Sequence, residues 1–474
     1  MKKISVLLLL SAITIVFTGC FEDLDDNAIS TSEIKDFVWK GMNTYYLYKS
    51  EIPDLANNRF STNDEYVNYL NSFTSPENLF GSLLYLPESV DKFSRITDNY
   101  FDLQNQQQGT SLSNGIEFNL YRFTADSDEV FGAITLVLNN SVADDLGLQR
   151  GQIFRAVDGV NLTVNNFVDL LFNQDSYTLN FGDYDDNGTI QAEDDTVTLN
   201  GASASLNKVL YTENPVHIAE SIDLGSGIKL GYLMYNGFNS SFNDALNNAF
   251  ANFQAQGVNE LVVDLRYNGG GSVQTAAYLG SMITGQFTDQ VYSKLFYNEN
   301  LQSNNRNFLF TNSIDGIGAI NSLNLSKIYV LTTNRRTASA SELLINSLDP
   351  YIDVVVIGEN TVGKTQASIT VYDSQNFTSN GVNPNHTYAM QPLVANSSNV
   401  NNQLVPFNGL TPDFEITERP STLGELGNPE EPLLEVAIND ILGLGRPSLM
   451  PLNHELRLVT KQPIPPLNQD MFID

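Results

Sequence analysis

Ser339 and Lys364 stand 25 residues apart in a stretch that reads TASASELLINSLDPYIDVVVIGENTVGK, from Thr337 to Lys364. A serine hydroxyl is a weak nucleophile until a base takes its proton, and a desolvated lysine amine can be that base. Free lysine titrates at about 10.4, so Lys364 would need apolar surroundings to be neutral near pH 7. The chain has three histidines, His217, His386 and His454, and none sits in a comparable motif. If the chain is a hydrolase, its chemistry is Ser/Lys rather than Ser/His. Acyl transfer also needs donors for a developing oxyanion. Gly269, Gly270 and Gly271 follow an apolar run, and glycines let backbone amides approach a ligand without a side chain in the way.

The elements around these residues read as an α/β domain over about 209 to 445. Ile228 to Tyr235 reads as a strand, and Asn243 to Phe253 has helical spacing at Leu246, Phe250 and Phe253. Glu260 to Leu265 is an apolar run of the kind found in buried parallel strands, and Val273 to Ile283 is helical in pattern. Ile328 to Leu331 and Val354 to Ile357 read as further buried strands, and Glu431 to Leu442 as a closing helix. Alternation of strands and helices predicts an α/β core. Ser339 falls near the start of the helix running to Leu348, whose positive end favours negative charge there.

The stretches TASASE (337–342) and GENTVGK (358–364) resemble those of the carboxyl-terminal processing, or tail-specific, family of serine peptidases. The resemblance implies Ser339 as nucleophile and Lys364 as general base, with Ser341 a neighbouring decoy. DLRYNGGG (264–271) resembles the family's loop after a buried strand, which implies oxyanion donors from Ala340 and from Gly270 or Gly271. Asp91 to Arg95 and Asn408 to Asp413 resemble two further family stretches. Two positions depart from the pattern. Ser368 stands where a lysine-orienting Gln is common, with Gln366 two residues after the lysine as the alternative support. Pro350 stands where many members carry Asp, with Asp349 one residue earlier.

Residues 109–208 read as short strands and turns. Leu146 to Val160 resembles the AGLKxGDxIxxVDG pattern of PDZ domains, and Gly115-Ile116-Glu117-Phe118 resembles their carboxylate-binding loop. Such a module adds a peptide as a strand to a sheet edge. Glu117 departs from the small residue usual there and would weaken capture of a free C-terminus. Within the module, Asp183, Asp185, Asn187, Thr189 and Asp194 follow the spacing of a calcium loop, with Gly188 at the turn and Asp rather than Glu at the twelfth position. The reading is a structural Ca²⁺ site or an acidic hairpin tip. The flanks look like strands rather than helices, and the chemistry itself requires no cofactor.

Residues 30–108 read as a helical N-terminal cap. Ser30 with Glu33 and Thr62 with Glu65 give capping-box patterns, and Ile34, Phe37, Val38, Met42 and Tyr45 fall on one helical face. Ahead of it, Lys2 and Lys3, the apolar Val6 to Phe17, and Thr18-Gly19-Cys20 read as a lipoprotein signal of residues 1–19, with Cys20 as the lipidated residue. The acidic tether, residues 20–29, carries Phe21 to Asp26, which resembles surface-export signals of Bacteroidetes lipoproteins. Cys20 is the chain's one cysteine, which leaves no disulfide. Residues 446–474 read as a C-terminal tail, flexible from Pro463 on.

A net charge of −31 excludes nucleic-acid binding as a function class. With 42% hydrophobic and 17% charged residues, the 474-residue chain suits several globular domains. The expected architecture is multidomain α+β: a helical cap, a PDZ-like module and an α/β catalytic domain, which the resemblance implies is ClpP/crotonase-like. The expected function is a lipid-anchored serine endopeptidase of the bacterial cell envelope. It would act on proteins or peptides, in part through their C-termini. The rival is a non-catalytic peptide- or ligand-binding lipoprotein on the same fold. A glycan-binding accessory role finds no tryptophan platform, since Trp39 is the sole tryptophan.

Overall fold

Three parallel strands lie side by side at the centre of the molecule, and each delivers one loop to the same end of the sheet. In the computed structural model, residues 31–124, 126–189, 191–445, 457–459 and 472–473 are described. The signal segment, Cys20, the acidic tether and Ser30 lie outside them. The central sheet runs in the order Val216–Gly225, Ile228–Tyr235, Glu260–Asp264, Lys327–Thr332, Asp353–Gly358, Phe414–Glu415. Its first pair is antiparallel and the rest are parallel. Parallel neighbours bring their carboxyl ends together, where ligands of open α/β sheets bind. The loops after Asp264, Thr332 and Gly358 hold the Gly turn, the Ser turn and the Lys loop.

The helices that cover the sheet begin and end as their sequences dictate. Asn243–Gln256 stops at Gly257 in the left-handed conformation, and Val273–Thr284 starts at Ser272, whose side chain accepts the Thr275 amide. Ala340–Leu348 is buried along its whole length, which suits its apolar composition. Pro432–Ile441 starts at Glu431, whose carboxylate caps Leu433 and Leu434.

Ahead of this domain, Thr31–Tyr45 buries Ile34, Phe37, Val38 and Met42, the face expected from its spacing; Tyr46 joins them while Tyr45 is only partly covered. Thr62 caps Asn63–Asn71 through the Glu65 amide at 3.2 Å. Val371 and Met390 of the later chain complete this cluster. Residues 116–207 form an antiparallel sheet, ordered Ile116–Arg122, Val130–Val137, Ile153–Val157, Ser176–Asp185, Thr196–Asn207. Arg457–Leu458 pairs with the outer edge of Ile116–Arg122. No described helix is long and apolar enough to cross a membrane.

A buried ionic cluster joins this β-rich region to the α/β sheet. Arg266, fully buried, bonds Asp264, Glu418 and Glu431, with closest N–O distances of 2.8, 2.8 and 2.6 Å. Arg150, from the β-rich region, pairs with the same Glu418 and donates to the Gly424 carbonyl at 2.8 Å. Burial alone would raise the Glu418 carboxyl, but Arg150 and Arg266 hold it down to about 2. A carboxyl depressed in the folded state adds stability above its unfolded value of 4.5, and that stability is lost as pH falls toward 2. Removing one partner of such a cluster leaves uncompensated buried charge. Arg266→Met is therefore expected to cost about 3–5 kcal/mol in denaturant unfolding at pH 7. The difference from the parent should shrink between pH 4.5 and 2; an unchanged midpoint at pH 7 would refute the cluster's role.

Candidate active site

Ser339 sits where the chain turns from the Lys327–Thr332 strand into the Ala340–Leu348 helix. Its backbone has φ 68° and ψ −114°, a conformation that L-residues avoid and that costs about 1–3 kcal/mol. The turn is fixed from several sides. Thr337 donates its hydroxyl to the Leu265 carbonyl at 2.9 Å, and the Ala338 amide reaches the Asn268 carbonyl at 3.2 Å. Val362, in the Lys loop, bonds the Thr337 carbonyl at 3.0 Å.

Glu342 ties the serine turn to the lysine loop. One of its oxygens accepts the Ser339 amide at 2.8 Å and the Lys364 amide at 2.8 Å. The other accepts the Gly363 amide at 2.6 Å and the Thr361 hydroxyl. Burial pushes this carboxyl above its ordinary range, against the pull of those four donors. Sequence reading saw TASASE as a motif and gave Glu342 no role. Its signal was the N3 position of the helix, where a Glu reaches back to the amide of the preceding cap.

Lys364 is 1% exposed, and its Nζ lies 4.6 Å from the centre of the Phe93 ring. It is not an exposed loop lysine. Glu359, a conceivable partner, instead faces Asn334, whose side-chain amide it accepts at 3.2 Å. Phe93 is delivered by the Asp91–Arg95 stretch, in which Asp91 accepts the Phe93 and Ser94 amides and the Tyr46 hydroxyl. Gln366 is buried and donates to the Tyr48 hydroxyl at 3.0 Å, while its Oε1 takes no hydrogen bond among the described residues. Ser368 is buried two residues further along the strand, and Asp349 is exposed at the far end of the helix.

The Gly turn closes the site from the other side. A Cβ placed on Gly270 would fall 2.7 Å from the Ser339 Cβ, 2.9 Å from its Oγ and 3.0 Å from the Ala340 nitrogen. The missing side chain thus leaves a small space between the candidate nucleophile and the first amide of the helix. That amide has no acceptor within its own helix. The Gly270 amide itself is taken by the Asn268 side chain at 2.9 Å. Ser341 gives its hydroxyl to the Asn268 carbonyl at 3.0 Å, which marks it as a structural serine.

The two described histidines lie elsewhere. His386 pairs with Asp373 at 2.8 Å, burial lowers His217 to about 4, and His454 is outside the described residues. Ile116, Glu117 and Phe118 begin a buried strand rather than an open loop. The Gly115 amide goes to the Ser113 hydroxyl at 3.0 Å and the Ile116 amide to the Asn114 side chain at 3.3 Å, so neither points at an empty carboxylate site. Glu117 instead forms a buried ion pair with Arg336, three residues before Ser339, and Asn119 accepts a hydrogen bond from Arg335 at 2.8 Å. Asn119, Arg335 and Arg336 line a small cavity with Tyr121, Tyr267 and Glu418.

The acidic loop is a hairpin tip between Ser176–Asp185 and Thr196–Asn207. There the donor set does not fit a calcium ion. Asn187 turns its N–H toward the Asp194 carbonyl, Thr189 donates to the Asp194 carboxylate at 2.8 Å, and Asp183 accepts from Asn200 at 2.9 Å. Among the described residues no three acidic, His or Cys side chains converge as a metal site.

The chain is similar to known proteins in sequence and fold. The model of the peptidase S41 N-terminal domain matches residues 33–95, and that of peptidase family S41 matches residues 229–416. A chloroplastic C-terminal processing peptidase of Tetradesmus obliquus is 31% identical over 170 residues, 36% of this chain and 34% of its own. A carboxyl-terminal-processing protease of Picosynechococcus is 28% identical over 151 residues, 32% of each chain. These matches span about a third of the length of each curated relative. The crystal structure of an S41 protease from Bacteroides fragilis superimposes with a TM-score of 0.68 at 28% identity, covering 86% of this chain and 97% of that one. The two family models together span the N-terminal helices and the sheet whose loops carry Ser339 and Lys364, and the chain belongs to peptidase family S41.

Proposed function

We propose that the chain is a serine endopeptidase in which Ser339 attacks a peptide carbonyl and Lys364 serves as general base. The observation that carries this reading is the Glu342 carboxylate, which accepts the Ser339 and Lys364 amides on one oxygen and so holds both residues at one buried place. In the proposed cycle, Lys364 Nζ takes the hydroxyl proton as Oγ bonds to the carbonyl carbon. The Ala340 N–H and the Gly271 N–H face the oxyanion, since the Gly270 N–H is held by the Asn268 side chain. The proton then passes to the leaving amine, the C–N bond breaks, and water releases the acyl group by the same steps in reverse order. Gln366, anchored on Tyr48, supports the lysine side of the pair.

The β-rich region is proposed as a PDZ-like gate. Its Ile116–Arg122 strand contacts the serine turn through Glu117–Arg336 and Asn119–Arg335, which gives a peptide at that strand a direct mechanical link to Ser339. Anchoring to the bacterial envelope through Cys20 rests on the lipoprotein-like sequence around it. Cys20→Ala is expected to move the protein from the membrane to the soluble fraction of expressing cells; retention in the membrane would refute lipidation.

With an unfolded protein as substrate, Ser339→Ala and Lys364→Ala are each expected to lower kcat by at least about a thousandfold. Ser341→Ala should keep turnover and lose only about 1 kcal/mol of stability, the worth of its hydrogen bond. Activity surviving in Ser339→Ala but lost in Ser341→Ala would reverse the assignment. Glu342 acts through the residues it holds, as a positioning residue. Glu342→Gln puts an N–H donor where backbone amides need an acceptor, so kcat should fall about 10–100-fold with KM nearly unchanged. A change confined to KM would place Glu342 in substrate binding instead.

A further inference from the structure

Phe472 and Ile473, near the end of the chain, bridge the segment after the Gly turn and the strand that follows Lys364. Phe472 lies between the Gly turn and the strand that follows Lys364. Its N–H donates to the Gly271 carbonyl at 3.1 Å, and its carbonyl accepts the Val273 amide at 3.3 Å. On the opposite side, the Ile473 N–H donates to the Ser368 carbonyl at 3.1 Å. The segment runs parallel to both neighbours, bridging Ser272 and Ser368. The Phe472 side chain is 8% exposed, and Ile473 packs on the main core. The tail expected to be flexible from Pro463 on thus has a docked end, because main-chain bonds on two sides and two apolar side chains offset its ordering.

These contacts lie one residue from Gly270, which itself abuts Ser339 Oγ, and four residues from Lys364. Main-chain bonding of an extended segment with side chains set into pockets is how proteins capture peptides by strand addition. We propose that the groove between Gly271–Val273 and Gln366–Ser368 is the substrate-strand site, selective for an aromatic residue followed by a branched aliphatic one. Residues 472–473 are its built-in competitor. The proposal rests on the peptidase reading above and names the peptide class and the regulation of that site.

The same segment is held a second time. Arg457 and Leu458 pair antiparallel with Arg122 and Tyr121, and the Val459 amide reaches the Leu120 carbonyl at 2.9 Å. Val459 is buried in the core of the β-rich region. The strand expected to receive peptides therefore carries the beginning of the segment whose end fills the catalytic groove.

The test compares the full chain with its Phe472→Asp/Ile473→Asp and Phe472→Ala variants, each also in a Ser339→Ala background. The probe is a fluorescein-labelled peptide of residues 463–474. A tethered strand competes at an effective concentration on the order of millimolar, so its release should tighten probe binding by about tenfold and lower KM for an unfolded protein similarly. The milder Phe472→Ala should fall in between. Probe binding and KM equal to the parent in both variants would overturn the proposal, even with turnover intact. Tighter probe binding without turnover in any form would keep the groove and remove the peptidase reading instead.

Discussion

The Glu342 carboxylate takes a backbone amide from each of the two loops that carry Ser339 and Lys364, and takes both on the same oxygen. A buried carboxylate is tolerated only when its acceptors are filled, and three amides and a hydroxyl fill them here. It is the amide of Lys364, not its side-chain nitrogen, that bonds Glu342. The distinction matters for a general base. A carboxylate bonded to the amine would hold the lysine in its charged form, whereas one satisfied by amides fixes the lysine's position without claiming its proton. The same bonds also sustain the unfavourable backbone of Ser339, which the helix start alone would not impose.

Everything further out keeps those two loops in register. Because Glu260–Asp264, Lys327–Thr332 and Asp353–Gly358 are consecutive neighbours in the sheet, the three loops need no long reach to meet. Arg266 begins the Gly turn and is also the centre of the ionic cluster with Asp264, Glu418 and Glu431. A charge pattern that looks like a stability device is thus continuous with the Gly turn beside Ser339. Arg150 extends the cluster into the β-rich region, and Arg336 extends the serine turn into it by another route.

Much of this was legible because it rests on local pattern. Apolar runs of β-branched residues marked the buried strands within a residue or two of their observed ends, and the closing helix and its Glu431 start followed from period and cap. The candidate pair, Ser339 and Lys364, rests on motif resemblance. What sequence could not convey was partnership at long range. Glu342 reaches 22 residues ahead to Lys364, Phe93 lies over an amine more than 250 positions away, and Glu117 pairs with Arg336 across 219 residues. Each looks like an ordinary cap, core or loop residue in isolation. For the acidic loop, spacing left a calcium site and a hairpin tip both open, and in the strand hairpin Asn187 and Thr189 turn onto Asp194.

Two adjacent glycines explain how one turn can serve both the reacting group and a bound strand. At Gly270 a side chain would occupy the space between Ser339 and the Ala340 amide. At Gly271 it would lie 2.3 Å from the Phe238 carbonyl, so only glycine lets the turn pack against that segment. With one face opened toward the nucleophile and the other pressed onto Phe238, the Gly271 carbonyl is left to meet an incoming amide, the one Phe472 supplies. Recognition built this way reads the extended backbone first and the side chains second. In the proposed site the backbone bonds admit an extended strand and the side-chain contacts then rank it, so a site filled by its own chain yields only to a strand that fits better.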